Sequence, residues 1–235
     1  MTNSKLFYSF LTLTLSVVFI ALSLLFSATT TPVTSPVTSP VTIIIDAGHG
    51  GPDGGAVGVS GILEKDLNLD MAKKLQNFLT VAGYNVVMTR ESDEDTDGSE
   101  IFNKSSDIKN RCAIADKYDN AIFVSIHMNA STSSRDKGFQ VFYGSVHEDS
   151  KLLAENIHKS ISDNATVNRL RDVTHAPERV YITKNVKHPT ILVECGFISN
   201  SADETLLKDE SYRENLAFAL YYGIDQYIKV PAATN

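Results

Sequence analysis

The segment Val41–Asp46, VTIIID, constrains this chain more than any other. Its β-branched, apolar run lacks the alternation of a half-wet strand, which is the pattern of a strand covered on both faces. It runs directly into DAGHGGPDGG, a stretch too rich in glycine to continue a strand. A strand apolar on both faces needs cover on both sides, so the rest of the chain must supply two helical layers.

The downstream pattern supplies them. Residues 62–82 place Leu63, Leu67, Met71, Leu75, Phe78 and Leu79 at helical spacing, with Gly83 as a stop. Further strands are expected at 84–89, 121–127, 138–144 and 189–197. Helices are expected over Ser106–Lys117, His147–Ser162 and Tyr212–Ile228. Strands alternating with helices imply an α/β domain over 42–230, a three-layer arrangement with a mostly parallel sheet and helices on both faces. The acidic stretch 91–100, ESDEDTDGSE, reads as a solvated loop; a calcium site there would lack EF-hand spacing.

In such a sheet, ligands gather at the carboxyl ends of strands. The strand at 41–46 leads to His49, the strand at 121–126 to His127, and the strand at 190–193 to Glu194. Glu64 falls in the first turn of the helix that follows the His49 loop. Two histidines and a carboxylate are a common zinc set in hydrolases, and a second carboxylate off the metal can serve as general base. Each residue also has an ordinary reading. His49 can sit in a plain turn or a phosphate loop, although both GxGxxG and the P-loop lysine are missing. His127 can be a structural hydrogen-bonder, Glu64 a carboxylate favoured by the helix dipole, and Glu194 half of an ion pair. All four together at one edge argue for a site, because desolvated charge needs partners.

Neighbouring residues have weaker claims. Asp46 can orient His49 or cap a turn, and Asn129 can support His127, position substrate or cap a loop. Arg90 and Arg111 are read first as structural ion pairs and second as binders of substrate carboxylates. Cys195 adjoins Glu194, but strand alternation sends it to the opposite face. His147, His158, His175 and His188 have no ligand-like spacing.

Residues 6–26 contain no charge and no proline, a length suited to crossing a bilayer. A membrane anchor, a cleaved signal peptide and a core helix compete for this run. Lys5 ahead of it favours an outward-facing domain in the first two readings. The expected organisation is therefore an anchor or signal over 1–27, a Thr/Pro/Val-rich spacer over 28–41, and the domain beyond. A formal net charge of −7 without a basic stripe speaks against nucleic acid. Two cysteines, Cys112 and Cys195, cannot build a disulfide framework.

The stretch IIIDAGHGGPDGGAVG, with GILEKDLNLDMAKKL, VVMTRESD, NRCAIADKYDNAIFVSIHMNAS, GFQVFYG and TILVECGFISNSADETLL, resembles the zinc-dependent N-acetylmuramoyl-L-alanine amidases of the Amidase_3 type. The resemblance covers nearly all of 42–228 and implies zinc ligation by His49, Glu64 and His127, with Glu194 as the catalytic carboxylate. It implies hydrolysis of the amide between the lactyl group of N-acetylmuramic acid and L-alanine of the stem peptide. Two departures bear on biology. The chain carries no cell-wall-binding repeat, so residues 1–42 must localise it. The region between the 138–144 and 189–193 strands lacks a long occluding helix. This small, N-terminally anchored form is similar to sporulation and germination amidases. Expected partners are peptidoglycan, the membrane through the N-terminal run, and an activating protein; expected locations are the outer face of the cell membrane, the wall or the spore cortex. Two other functions compete. A zinc carboxypeptidase would need a cation for the terminal carboxylate, for which the sequence offers no clear candidate. A non-catalytic wall-binding module would have lost one of the four site residues.

Overall fold

Every residue of β1 (Thr42–Ala47) is buried, as its composition requires. A computed structural model describes residues 40–98 and 101–229. β1 lies between β2 (Asn85–Met88) and β3 (Ala121–Asn129), and β3 is flanked on its other side by β6 (Thr190–Phe197), all parallel. β4 (Gln140–Tyr143) pairs antiparallel with β6, and the two-residue β5 (Thr174–His175) closes the order β2-β1-β3-β6-β4-β5.

Alternation along the strands sorts the side chains into two cores. Ile43, Ile45, Ala47, Val124, Ile126, Ile191, Val193 and Cys195 face one side. There they pack with apolar stripes of α1 (Glu64–Val81), α3 (Ser150–Asn164) and α6 (Glu210–Lys229). Ile44 and Phe123 face the other side, against Cys112 and Ala115 of α2 (Lys104–Ala115) and Ile182 of α4 (Ile182–Asn185). The second layer is the thinner one. Asp46, Ser125, His127 and Glu194 share this alternation, so they emerge beyond the small second core rather than under the large first one.

Several boundaries differ from expectation. α2 starts two residues early because Asn103 caps it, accepting from the backbone N–H groups of Ser105 and Ser106. α3 and α6 run over 150–164 and 210–229 rather than 147–162 and 212–228. β3 continues two residues past His127, while β6 ends at Phe197 as expected, so His127 and Glu194 sit within the last few residues at the carboxyl ends of their strands. β5, α4 and α5 (Ser201–Lys208) are too short to show a periodic signal. The 6–26 run and the spacer as far as residue 39 lie outside the described residues; among those described, no helix is long and apolar enough to cross a membrane.

Candidate metal centre and active site

The chain leaves β1 at Ala47 and turns across the end of β3, where Gly48 N–H donates to the Ile126 carbonyl at 3.0 Å. A Cβ on Gly48 would lie 2.3 Å from the His127 ring, so only glycine lets the loop pass this close. His49 follows with φ of 61°, a left-handed conformation that is uncommon outside glycine. Three consecutive carbonyls, of Ala47, Gly48 and His49, must find donors away from water. Arg90 donates to Ala47 (2.8 Å) and Gly48 (3.1 Å), while Arg111 donates to Ala47 and His49, both at 2.8 Å.

These two arginines are therefore the frame of the loop. Arg111 is 2% exposed and is held by Asp46 at 2.8 Å and Asp107 at 2.9 Å. Burial opposes its charge, yet the two carboxylates outweigh burial and raise its pKa; Arg111 in turn overcomes the burial that would otherwise raise Asp46, and holds it low. Arg90 makes carbonyl hydrogen bonds where the sequence suggested an ion pair. Asp46 also accepts from Thr89 and Ser125 (2.8 and 2.6 Å). It does not touch His49, so its expected role as orienter is corrected to an indirect one through Arg111.

Asp53 takes the orienting position instead. His49 Nδ1 lies 2.8 Å from Asp53 Oδ2, and Lys104 Nζ lies 2.9 Å from the same oxygen. Burial would raise Asp53, but His49 and Lys104 draw its pKa down to about 2. An ionised carboxylate only accepts, so Nδ1 carries the proton and Nε2 keeps its lone pair free. An aspartate in a glycine-rich loop reads as turn chemistry in sequence; its place four residues after His49 was the available signal. The described part of the acidic stretch, residues 91–98, is a largely exposed loop as expected, and it also touches the site. Asp93 accepts from Gly51 N–H (2.9 Å) and Lys65 Nζ (2.8 Å), which pins the segment onto the site loop.

Glu64 is the first residue of α1 and 4% exposed. Its Oε2 lies 3.3 Å from His49 Nε2 and accepts from Ala56 N–H at 2.9 Å; its Oε1 lies 2.9 Å from His127 Nδ1. A register irregularity between His127 and Asn129 turns Met128 N–H toward the same Oε1, at 3.2 Å. Gly55, with φ of +67°, is required beside it, since a Cβ would come within 2.6 Å of Glu64 Oε2. Burial would raise the Glu64 carboxyl, but the two histidines override it and hold it far below the usual range. His127 mirrors this: burial would lower it, and Glu64 raises it.

The ligand atoms of His49, Glu64 and His127 all lie within 4.8 Å of one another, the one such group among the described residues. Tetrahedral ligation at about 2.0–2.2 Å places donor atoms roughly 3.3 Å apart. The 3.3 and 2.9 Å separations here suit a zinc ion with little rearrangement, and the donor types match. Glu194 stands directly across from His127 in the β3–β6 register. Its Oε2 is buried without a hydrogen-bond partner, an orphan that calls for a ligand or substrate atom. Burial pushes its pKa up to about 7, with His127 opposing. Cys195 faces the first core, 1% exposed, as alternation requires. Asn129 accepts from Ile198 N–H through its carbonyl, a strand-end contact.

His49, His127 and Glu194 open into a cavity of about 350 Å³, which also receives Lys104, Tyr181 and Arg179. Neither Lys104 nor Arg179 stands out in the sequence; Arg179 lies three residues before a helix too short to be read from periodicity.

An open α/β sheet with a His–Glu–His set at its carboxyl edge and a free glutamate beside it defines a hydrolase class. The family model of Amidase_3, N-acetylmuramoyl-L-alanine amidase, matches residues 43–226. The chain belongs to that family and hydrolyses the amide between N-acetylmuramic acid and L-alanine of the peptidoglycan stem peptide. It is 35% identical over 192 residues to the germination-specific N-acetylmuramoyl-L-alanine amidase of Bacillus subtilis, covering 79% of this chain and 78% of that one. Among solved structures it is similar to the CwlD amidase of Clostridioides difficile in complex with the GerS lipoprotein, at 36% identity and TM-score 0.75, covering 80% of this chain and 98% of that one. The catalytic domain of CwlV from Bacillus (Paenibacillus) polymyxa is 32% identical with TM-score 0.70, covering 81% and 99%.

Proposed function

We propose that His49, Glu64 and His127 hold one zinc ion, and that Glu194 is the general base and acid of the amide hydrolysis. The observation that carries this reading is the convergence of the three ligand atoms beside a buried, unpartnered Glu194 oxygen. Bound zinc supplies Lewis-acid activation of water and of the scissile carbonyl. Glu194 takes the proton of the attacking water and returns it to the departing L-alanine amine. Asp53 holds His49 in the tautomer that offers Nε2, and Arg111 holds the left-handed His49 backbone by its carbonyl.

The biological setting follows from the relatives. The germination-specific relative and the CwlD likeness support a role in spore cortex maturation or germination, outside the cytoplasmic membrane. The uncharged 6–26 run supports an N-terminal anchor or signal over 1–27, with 28–41 as spacer to a catalytic domain over 42–230. The lipoprotein complex of the Clostridioides relative supports an activating protein partner for this chain.

Peptidoglycan digested by the full-length protein, with and without chelator, tests the reaction by mass spectrometry of the products. Intact stem peptides with a free L-alanine amine, formed only in the unchelated sample, are expected. Release of single C-terminal amino acids would replace the amidase by a carboxypeptidase.

A further inference from the structure

The cavity contains three cations, and two are already paired. Arg111 is locked between Asp46 and Asp107 beneath the His49 loop, and Lys104 sits on Asp53. Arg179 lines the same space and makes no ion pair with any described residue. Its side chain is exposed at the cavity wall, on a backbone turn that is itself ordered. The turn that carries it is closed by Val180 N–H donating to the Pro177 carbonyl at 2.9 Å. Thr183 Oγ1 donates to the Val180 carbonyl at 3.0 Å, fastening the turn to α4. The adjacent acid, Glu178, is 90% exposed and engaged by Lys184, so it does not neutralise Arg179. Glu194 across the cavity feels the charge of Arg179 but makes no ion-pair contact with it, so the guanidinium keeps its fork available to a planar anion.

The reaction indicates which anion. In the proposed reaction Glu194 serves the departing amine of L-alanine, and successive Cα atoms in a peptide are about 3.8 Å apart. A cavity of about 350 Å³ is roughly 9 Å across if taken as a sphere. The stem residue after L-alanine therefore falls within the same cavity, and in peptidoglycan it is D-glutamate, linked onward through its side chain, leaving an α-carboxylate that is free or amidated. We infer that Arg179 binds this α-carboxylate, making the enzyme selective for stems in which it is free over stems in which it is an amide. The inference rests on the amidase reading and deepens it by naming the feature of the stem that is read.

The test uses full-length protein supplied with zinc and two substrates, N-acetylmuramoyl-L-alanyl-D-glutamate and its D-isoglutamine counterpart. Binding of the two product dipeptides, L-Ala–D-Glu and L-Ala–D-isoGln, is measured in parallel by calorimetry, independent of turnover. The wild type should favour the free carboxylate by about tenfold or more in kcat/KM and in dipeptide affinity, as expected for a charge-assisted hydrogen bond. Arg179→Gln should bring both ratios near one, chiefly through KM of the free-carboxylate substrate; Arg179→Lys should recover part of the preference. A preference that survives Arg179→Gln, or an equal loss on both substrates, overturns the inference. If no substrate is cleaved by the wild type, the amidase reading fails, and the dipeptide affinities still decide the role of Arg179.

Discussion

His49 shows how much a single residue here depends on those around it. Its backbone is left-handed, its carbonyl is taken by Arg111 and its Nδ1 by Asp53. A carboxylate that orients a ligating imidazole in this way changes metal affinity by about 10–100-fold. Asp53→Ala should therefore weaken zinc binding by that factor without unfolding the protein, as measured by competition with a chromophoric chelator; unchanged affinity would leave Asp53 with only its turn. Arg111→Met is expected to be harsher. It would leave Asp46 and Asp107 buried without their cation, and breaking such a pair removes about 3–5 kcal/mol of stability. A urea midpoint equal to that of the wild type would contradict this. The convergence of His49, Glu64, His127 and Glu194 was legible because strand ends share an edge. Asp53 was not, since its contact depends on how the loop curls.

At the scale of elements, the decisive piece is the loop between β1 and α1. It threads His49 between the His127 ring and Glu64, and both close approaches depend on missing side chains. Gly48→Ala should push the His127 ring aside and abolish tight zinc binding. Gly54→Ala is a control in the same loop, because its Cβ would meet nothing closer than 3.6 Å. Equal zinc affinity in the two variants would show that the loop has slack the structure does not suggest. The long strands and helices were legible from their periodicity over many residues. β5, α4 and α5 were not, because two to eight residues give no period to read. Arg179 was hidden for the same reason: it lies on a turn ordered by α4, which nothing in the sequence announced.

At the scale of the whole molecule, metal, fold and location should be coupled. A ligand at about 100 times its Kd stabilises the folded state by about 2.7 kcal/mol, which for a domain of this size raises Tm by roughly 5–10 °C. Zinc added to chelator-treated protein should produce such a shift, and a Tm indifferent to zinc would speak against a site built into the fold. The full-length chain should stay with membranes after an alkaline wash if residues 6–26 anchor it. Recovery of a mature protein beginning near residue 28 would replace the anchor with a signal peptide. The central claim is the division of labour between three zinc-holding residues and Glu194, and Glu194→Gln tests it most directly. The variant keeps the side chain's size but cannot take a proton, so it should fold, bind zinc as the wild type does and lose about 10²–10⁴-fold in turnover on purified peptidoglycan. Loss of zinc in this variant would make Glu194 a ligand, and normal turnover with zinc retained would assign the proton transfer to another group.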